Sequence, residues 1–174
     1  MRLLYVHVHV LEDLRVFGID VDNYDRHFGY EHRYARLFKS MGHEVDLVVF
    51  TREKDDVYYI THEWGHRIII VPVKGPRFMR LVYLFKRLIK LVKDYDVVHC
   101  FSYYSNIFDV LALACRFAGV PLVAQAQGIY PNIPYLPFLR KLFTLRLASR
   151  LLPLTRGEAE FLASRFRIFG GSVV

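Results

Sequence analysis

Residues 1–51, MRLLYVHVHVLEDLRVFGIDVDNYDRHFGYEHRYARLFKSMGHEVDLVVFT, decide the fold. Residues 2–9 (RLLYVHVH) form an apolar β run, 11–27 read as loop, and Phe28-Gly29-Tyr30-Glu31 opens a helix. That helix closes at Met41-Gly42-His43, and 44–51 (EVDLVVFT) is a second strand. A parallel strand–helix–strand unit with glycine where loop becomes helix suits phosphate. The first N–H groups of the helix lack partners, and its dipole favours an anion. A dinucleotide site needs G-x-G-x-x-G directly after the first strand. Here that position reads Val8-His9-Val10-Leu11-Glu12, with no glycine before Gly18, which argues against NAD.

The same alternation continues downstream. Residues 57–61 and 67–73 read as strands, 78–93 as an amphipathic helix, 96–101 as a buried strand and 106–118 as a helix stopped by Gly119. Residues 120–125 are a strand, 127–137 a loop rich in Pro and Tyr, 138–148 a helix and 150–154 a short strand. Thr155 is the N-cap of a helix over 158–165. Strands alternating with helices predict an α/β fold with a parallel sheet covered on both faces. Ligands of such sheets bind outside the carboxyl ends of the strands.

Composition fits one globular domain: 174 residues, 53% hydrophobic, 24% charged and 16% aromatic. Two cysteines without C-x-x-C spacing, Cys100 and Cys115, read as buried thiols of a reducing compartment. No signal peptide or uncharged run long enough to span a bilayer is visible, so a cytoplasmic location is expected. Scarce Asn and Gln lean toward a heat-adapted source. The net charge of +7 is uneven: residues 1–76 carry 10 basic and 12 acidic side chains, residues 77–174 carry 14 and 5.

Several short motifs follow one another in a telling order. They are Gly29-x-Glu31, a helix with Ala35 and Leu37, Gly42-His43-Glu44-Val45, Asp96-Val97-Val98-His99, Gly119-Val120-Pro121-Leu122-Val123 and Thr155-x-x-Glu158. Together they resemble the N-terminal, acceptor-side domain of GT-B glycosyltransferases. The nearest type is the large retaining, group 1 or family 4-like set, which includes sucrose, glycogen and lipid-directed sugar transferases. The resemblance covers nearly the whole chain. It implies a three-layer Rossmann-like domain over 1–166 with a twisted, mostly parallel sheet, and the start of an interdomain segment at 167–174. The donor-binding C-terminal domain, or a partner chain replacing it, would then supply the rest of the enzyme, and the chain alone would be inactive.

The resemblance also implies roles. Gly29, Glu31 and Gly128 would face the donor diphosphate. His99 and Gln127 would stand at the reacting groups, and Ser102, Tyr103 and Tyr130 would bind the acceptor. Gln127 occupies a place where many family members carry histidine; it exchanges hydrogen bonds but cannot ionise. The substrates implied are a nucleotide sugar and a lipid or glycan hydroxyl, with no metal and no cofactor.

Arg80, Lys86, Arg87 and Lys90, with Arg140 and Lys141, are candidates to face an anionic membrane, where each cation adds about 1 kcal/mol. Two alternatives stand beside this reading: a non-catalytic subunit that recruits a split glycosyltransferase to the membrane, and a polyanion or nucleic-acid binder. The nucleic-acid alternative is disfavoured, because the basic residues fall on helices rather than at strand ends. Asp20-x-Asp22 with Glu31 has part of a calcium-loop spacing, but Asp25 stands where glycine is needed. His7 and His9 share a strand face, but a third metal ligand, such as His62 or His66, cannot be placed from sequence.

Overall fold

Apolar runs and amphipathic stretches resolve into a doubly covered sheet in the computed structural model, which describes residues 1–76, 79–126 and 135–166. The strands are β1 (Arg2–Val10), β2 (Glu44–Thr51), β3 (Tyr58–Thr61), β4 (Arg67–Pro72), β5 (Val97–Phe101), β6 (Leu122–Gln125) and β7 (Arg150–Leu152). The helices are α1 (Leu11–Leu14), α2 (Tyr30–Ser40), α3 (Arg80–Val92), α4 (Asn106–Ala118), α5 (Tyr135–Thr144) and α6 (Arg156–Phe166). The strand order is β3-β4-β2-β1-β5-β6-β7. Every pairing is parallel except β3 with β4. This is the expected α/β Rossmann-like, three-layer architecture.

The period of two along the strands separates two cores. Leu3, Tyr5, Leu47, Val49, Ile68 and Ile70 pack with Ala35 of α2 on one face. Leu4, Val6, Val8, Val48, Phe50, Val98 and Cys100 pack on the other with Leu84 and Leu88 of α3 and Leu111 and Cys115 of α4. Both cysteines are buried and unpaired. The central strands are buried on both sides, which is why they read as nearly continuous apolar runs.

Local signals set the helix ends. Ser105 caps α4, its Oγ accepting from the N–H of Ile107 at 2.9 Å, and Gly119 ends it with φ 73°. At α6 the Thr155 hydroxyl accepts from the Glu158 N–H, and the Glu158 carboxylate accepts from the N–H of Leu154. This is a variant of the capping box. The loop expected over 11–27 instead holds α1 and two short 3-10 turns (Arg15–Phe17 and Tyr24–Arg26). Glu12 orders its start: its carboxylate accepts from the Thr51 hydroxyl and the Arg52 N–H at the end of β2. The Asp20-x-Asp22 segment is an Asx-type turn, with Asp20 accepting from the N–H groups of Asp22 and Asn23.

One expected surface cation is internal. Lys141 is 1% exposed, and its ammonium donates to the carbonyls of Tyr103 and Ser105 and to Asp109 Oδ1, each at 2.7 Å. Asp109 also accepts from Thr144 at 2.6 Å and pairs with Arg140. Burial pushes the Lys141 pKa down, and the neighbouring Asp109 charge opposes that. Lys141 therefore does not face a membrane; a lone ammonium in the apolar α4–α5 interface would be far too costly to leave unpaired. Arg87 is half-buried and donates to the Asp55 carbonyl, while Arg80, Lys86 and Lys90 are exposed.

Breaking the buried pair while leaving Asp109 in place is strongly unfavourable. Lys141→Met is expected to lower the unfolding free energy by about 3–5 kcal/mol in urea denaturation. Lys90→Met, on the exposed face of α3, is expected to change it by less than about 0.5 kcal/mol.

Candidate functional site

The sheet reverses its winding between β1 and β5, so a crevice opens where their carboxyl ends diverge. A cleft of about 340 Å³ lies at this end of the sheet, lined among others by His9, Asp13, Arg52, Arg80, Ser105 and Asn106. Its floor is the end of β1 and the start of α4; its walls are α1 with the end of β2 and the first turn of α3. Arg52 grips Asp13 through two hydrogen bonds of 2.8 Å. With Arg52 neutralised by Asp13, the N-terminal turn of α4, the Arg80 guanidinium and the His9 ring are left to favour an anionic or hydroxyl-rich ligand.

Behind His9 the ring of His7 is stacked at 4.5 Å, and His7 in turn stacks on Phe101 at 5.7 Å. The shared face of the two histidines is as expected from the strand period. His7 Nε2 meets Tyr30 Oη at 2.6 Å, linking β1 to the first turn of α2. Burial, aided by His9, holds His7 neutral. Ser102, immediately after β5, is buried with φ 74°, a left-handed conformation costing about 1–3 kcal/mol for a non-glycine residue. It is held by its N–H donating to the Gln125 carbonyl.

Several expected site residues lie elsewhere. His99 is in the middle of β5, 8% exposed, with its ring edge-on to Tyr5 and Phe38. Burial drives its pKa down to about 4, against a hydrogen bond donated to the Gln125 side chain that favours the charged form. It is a core histidine, not a lip residue. Tyr103 is fully buried, with its hydroxyl donating to Glu158 at 2.7 Å, so it does not face an acceptor. Gln127, Gly128 and Tyr130 lie outside the described residues.

Gly29 precedes α2 as expected, but Glu31 turns inward. It is 2% exposed and accepts from the Tyr24 hydroxyl at 2.9 Å. Its carboxylate lies so close to Gly29 that a Cβ there would fall 2.4 Å from an oxygen. Glu31 thus places its own negative charge beside the helix start, where it would repel a diphosphate; it organises the loop. Glycine is needed for space here, its φ of −62° being ordinary.

Sequence reasoning missed what surrounds Glu31. His32 in α2 and His62 and His66 in the β3–β4 turn are all buried. His32 Nδ1 and His66 Nε2 face each other at 3.0 Å, while His32 Nε2 and His66 Nδ1 find no partner. Whichever ring donates, two buried nitrogens stay unsatisfied, at about 1–3 kcal/mol each. Glu31 Oε1 stands 3.9 Å from His32 Nε2 and 3.7 Å from His27 Nε2.

A family model described as Glycosyltransferase Family 4 matches residues 30–173. No curated protein matches the sequence significantly. Among solved structures, the UDP-GlcNAc 2-epimerase of Methanocaldococcus jannaschii superposes with a TM-score of 0.65 at 12% identity, over 100% of this chain and 45% of its own. A sucrose-phosphate synthase from Thermosynechococcus elongatus gives 0.62 at 12% identity, over 99% and 47%. A glycosyltransferase from Rickettsia africae gives 0.59 at 14%, over 99% and 41%. The chain spans less than half the length of each of these proteins, and at such identities the likeness is one of fold.

Two outcomes test the local geometry. Gly29→Ala pushes the Glu31 carboxylate off Tyr24, with an expected loss of about 1–3 kcal/mol. In Glu31→Ala the space is open, so adding Gly29→Ala there costs much less, and a double-mutant cycle reads the coupling. His99 binds a proton more weakly folded, at about 4, than unfolded, at its ordinary 6.5. The unfolded chain therefore takes up more protons between those values, and stability falls as pH drops through that window, by up to about 3 kcal/mol. His99→Gln is expected to flatten this part of the stability–pH curve in chemical denaturation.

Proposed function

The chain belongs to glycosyltransferase family 4, and from that premise we propose that it is the acceptor-binding half of an enzyme that moves a sugar from a nucleotide donor to a lipid or glycan hydroxyl. The observation that carries this reading is the cleft at the switch point of the sheet, with His9, Arg52, Arg80 and the N-terminal turn of α4 converging on it. In this reading His9 and Asn106 orient the acceptor hydroxyl, and Arg80 balances the negative charge that gathers near the departing nucleoside diphosphate. Ser102 fixes the strained turn that carries the backbone from β5 toward the cleft. The names of the matched solved structures, which include a UDP-GlcNAc epimerase and a sucrose-phosphate synthase, support a nucleotide-sugar donor. A donor-binding half, on this chain's continuation or on a partner, would close the site.

A lipid acceptor is favoured over a soluble glycan by the surface beside the cleft. Leu81, Val82, Phe85, Val110, Leu113 and Phe143 line an open groove of about 340 Å³ between α3, α4 and α5. Leu81, Val82, Tyr83, Leu139 and Phe143 are exposed, and Arg80, Lys86 and Lys90 rise from α3. Apolar side chains flanked by cations suit peripheral contact with an anionic bilayer. Among the described residues, no helix is long and apolar enough to cross one.

Two measurements test the reading. NMR titration of the chain with a polyprenyl-linked sugar in nanodiscs is expected to shift the amides of residues 9, 105 and 106. His9→Ala is expected to weaken that binding about tenfold, which corresponds to about 1.4 kcal/mol. Sugar transfer and nucleotide-sugar hydrolysis by the chain alone are expected to be near background. Robust turnover of a nucleotide sugar by the isolated chain would overturn the half-site reading.

A further inference from the structure

We propose that His32, His62 and His66 form a binding site for a divalent transition-metal ion of the zinc class, which clips α2 to the β3–β4 turn. One ring nitrogen of each residue lies within 4.8 Å of the other two, and all three residues are buried. The His32 Nδ1 to His66 Nε2 distance of 3.0 Å is already close to the roughly 3.3 Å between two nitrogens that share a tetrahedral zinc ion at about 2.0–2.1 Å. Neutral imidazoles suit zinc, nickel or copper and are poor ligands for magnesium or calcium.

The surroundings already provide outer contacts of a histidine–metal site. His62 Nδ1 accepts the Trp64 N–H at 3.1 Å, so its proton sits on Nε2, which donates to the His27 carbonyl at 2.9 Å. That leaves Nδ1 as the lone-pair nitrogen. His32 similarly turns Nε2 toward Glu31 Oε1, 3.9 Å away, and Nδ1 toward His66. An ion at the centre lets His32 carry its proton on Nε2, facing a carboxylate, which also meets part of the ion's charge. The rings now stack, His62 lying 4.2 Å from His32 and 4.5 Å from His66, with interplanar angles of 22° and 16°. Binding therefore requires them to splay and His62 to release the Trp64 N–H. The bonds gained join a helix to a turn about thirty residues away along the chain.

The test uses the full chain, stripped with chelator and dialysed. Titration with Zn²⁺, followed by metal analysis, is expected to show one tightly held ion, with a rise in thermal midpoint that Mg²⁺ does not produce. Co²⁺ is expected to give the visible absorption of a tetrahedral site. Glu31→Gln is expected to weaken binding about ten- to hundredfold. His66→Gln is expected to abolish it, and His99→Gln, which removes a buried histidine elsewhere, to leave it intact. Hydrogen exchange on the unaltered chain does not depend on whether variants fold: Zn²⁺ is expected to slow exchange at residues 24–35 and 61–67. Absence of stoichiometric uptake, or uptake without protection of those two segments, would overturn the proposal.

Discussion

A buried ammonium anchors the half of the molecule that faces the cleft. Lys141 reaches from α5 into the turn after β5 and neutralises Asp109, one turn into α4. The same nitrogen accounts for the carbonyls of Tyr103 and Ser105, which lie where the strand has ended and the helix has not begun. The Tyr103 carbonyl, in the turn itself, needs a partner outside the sheet and helix ladders, while the Ser105 carbonyl also begins the α4 ladder. With them satisfied, Ser105 can cap α4, Ser102 can hold its left-handed turn, and Tyr103 can reach Glu158 of α6. Together with the apolar packing of α4 on the sheet, the ammonium fixes the turn that leads α4 to the side of the cleft.

The other face of the sheet is organised differently. There α2 is fixed through aromatic and imidazole rings: Tyr30 on His7, Tyr34 and Phe38 on Tyr5, and Tyr24 on the Glu31 carboxylate. Most of these groups are neutral and buried, so their contacts depend little on salt. Helix α3 leaves Arg80, Lys86 and Lys90 at the surface with Arg87 half-buried, while the α5 cations Arg140 and Lys141 turn to Asp109. The uneven charge of the chain thus reflects two construction principles, one face held by stacked rings and the other by helices with cationic rims.

The sheet was legible because buried parallel strands spell themselves as short apolar runs, as in EVDLVVFT and RIIIVPV. Helix α4 was legible to the residue, since Gly119 stops it with chemistry that acts locally; the Ser105 cap at its start emerged with the structure. Helix α1 was not, because four residues do not complete the period that identifies a helix. Lys141 was expected at the surface, yet it shares the buried side of α5 with Thr144, which also meets Asp109. The resemblance set His99 at the reacting groups, although it lies inside the strand expected over 96–101, which continues to Phe101 and holds the ring in the core. The histidine cluster was beyond reach: it exists because a hairpin folds onto a helix some thirty residues earlier, and nothing local in either segment encodes that meeting.

The two outermost strands carry a consequence of their own. β3 has four residues and runs against its neighbour, and β7 has three. Short edges offer few unpaired backbone groups for another chain to zip onto, and the Arg67 guanidinium lies over the ring of Tyr59 at the β3 edge. Extending the sheet at either edge would therefore form few new backbone hydrogen bonds. The strand ends, with the loops and helix termini around them, are left as the broader surface through which this domain can make contact.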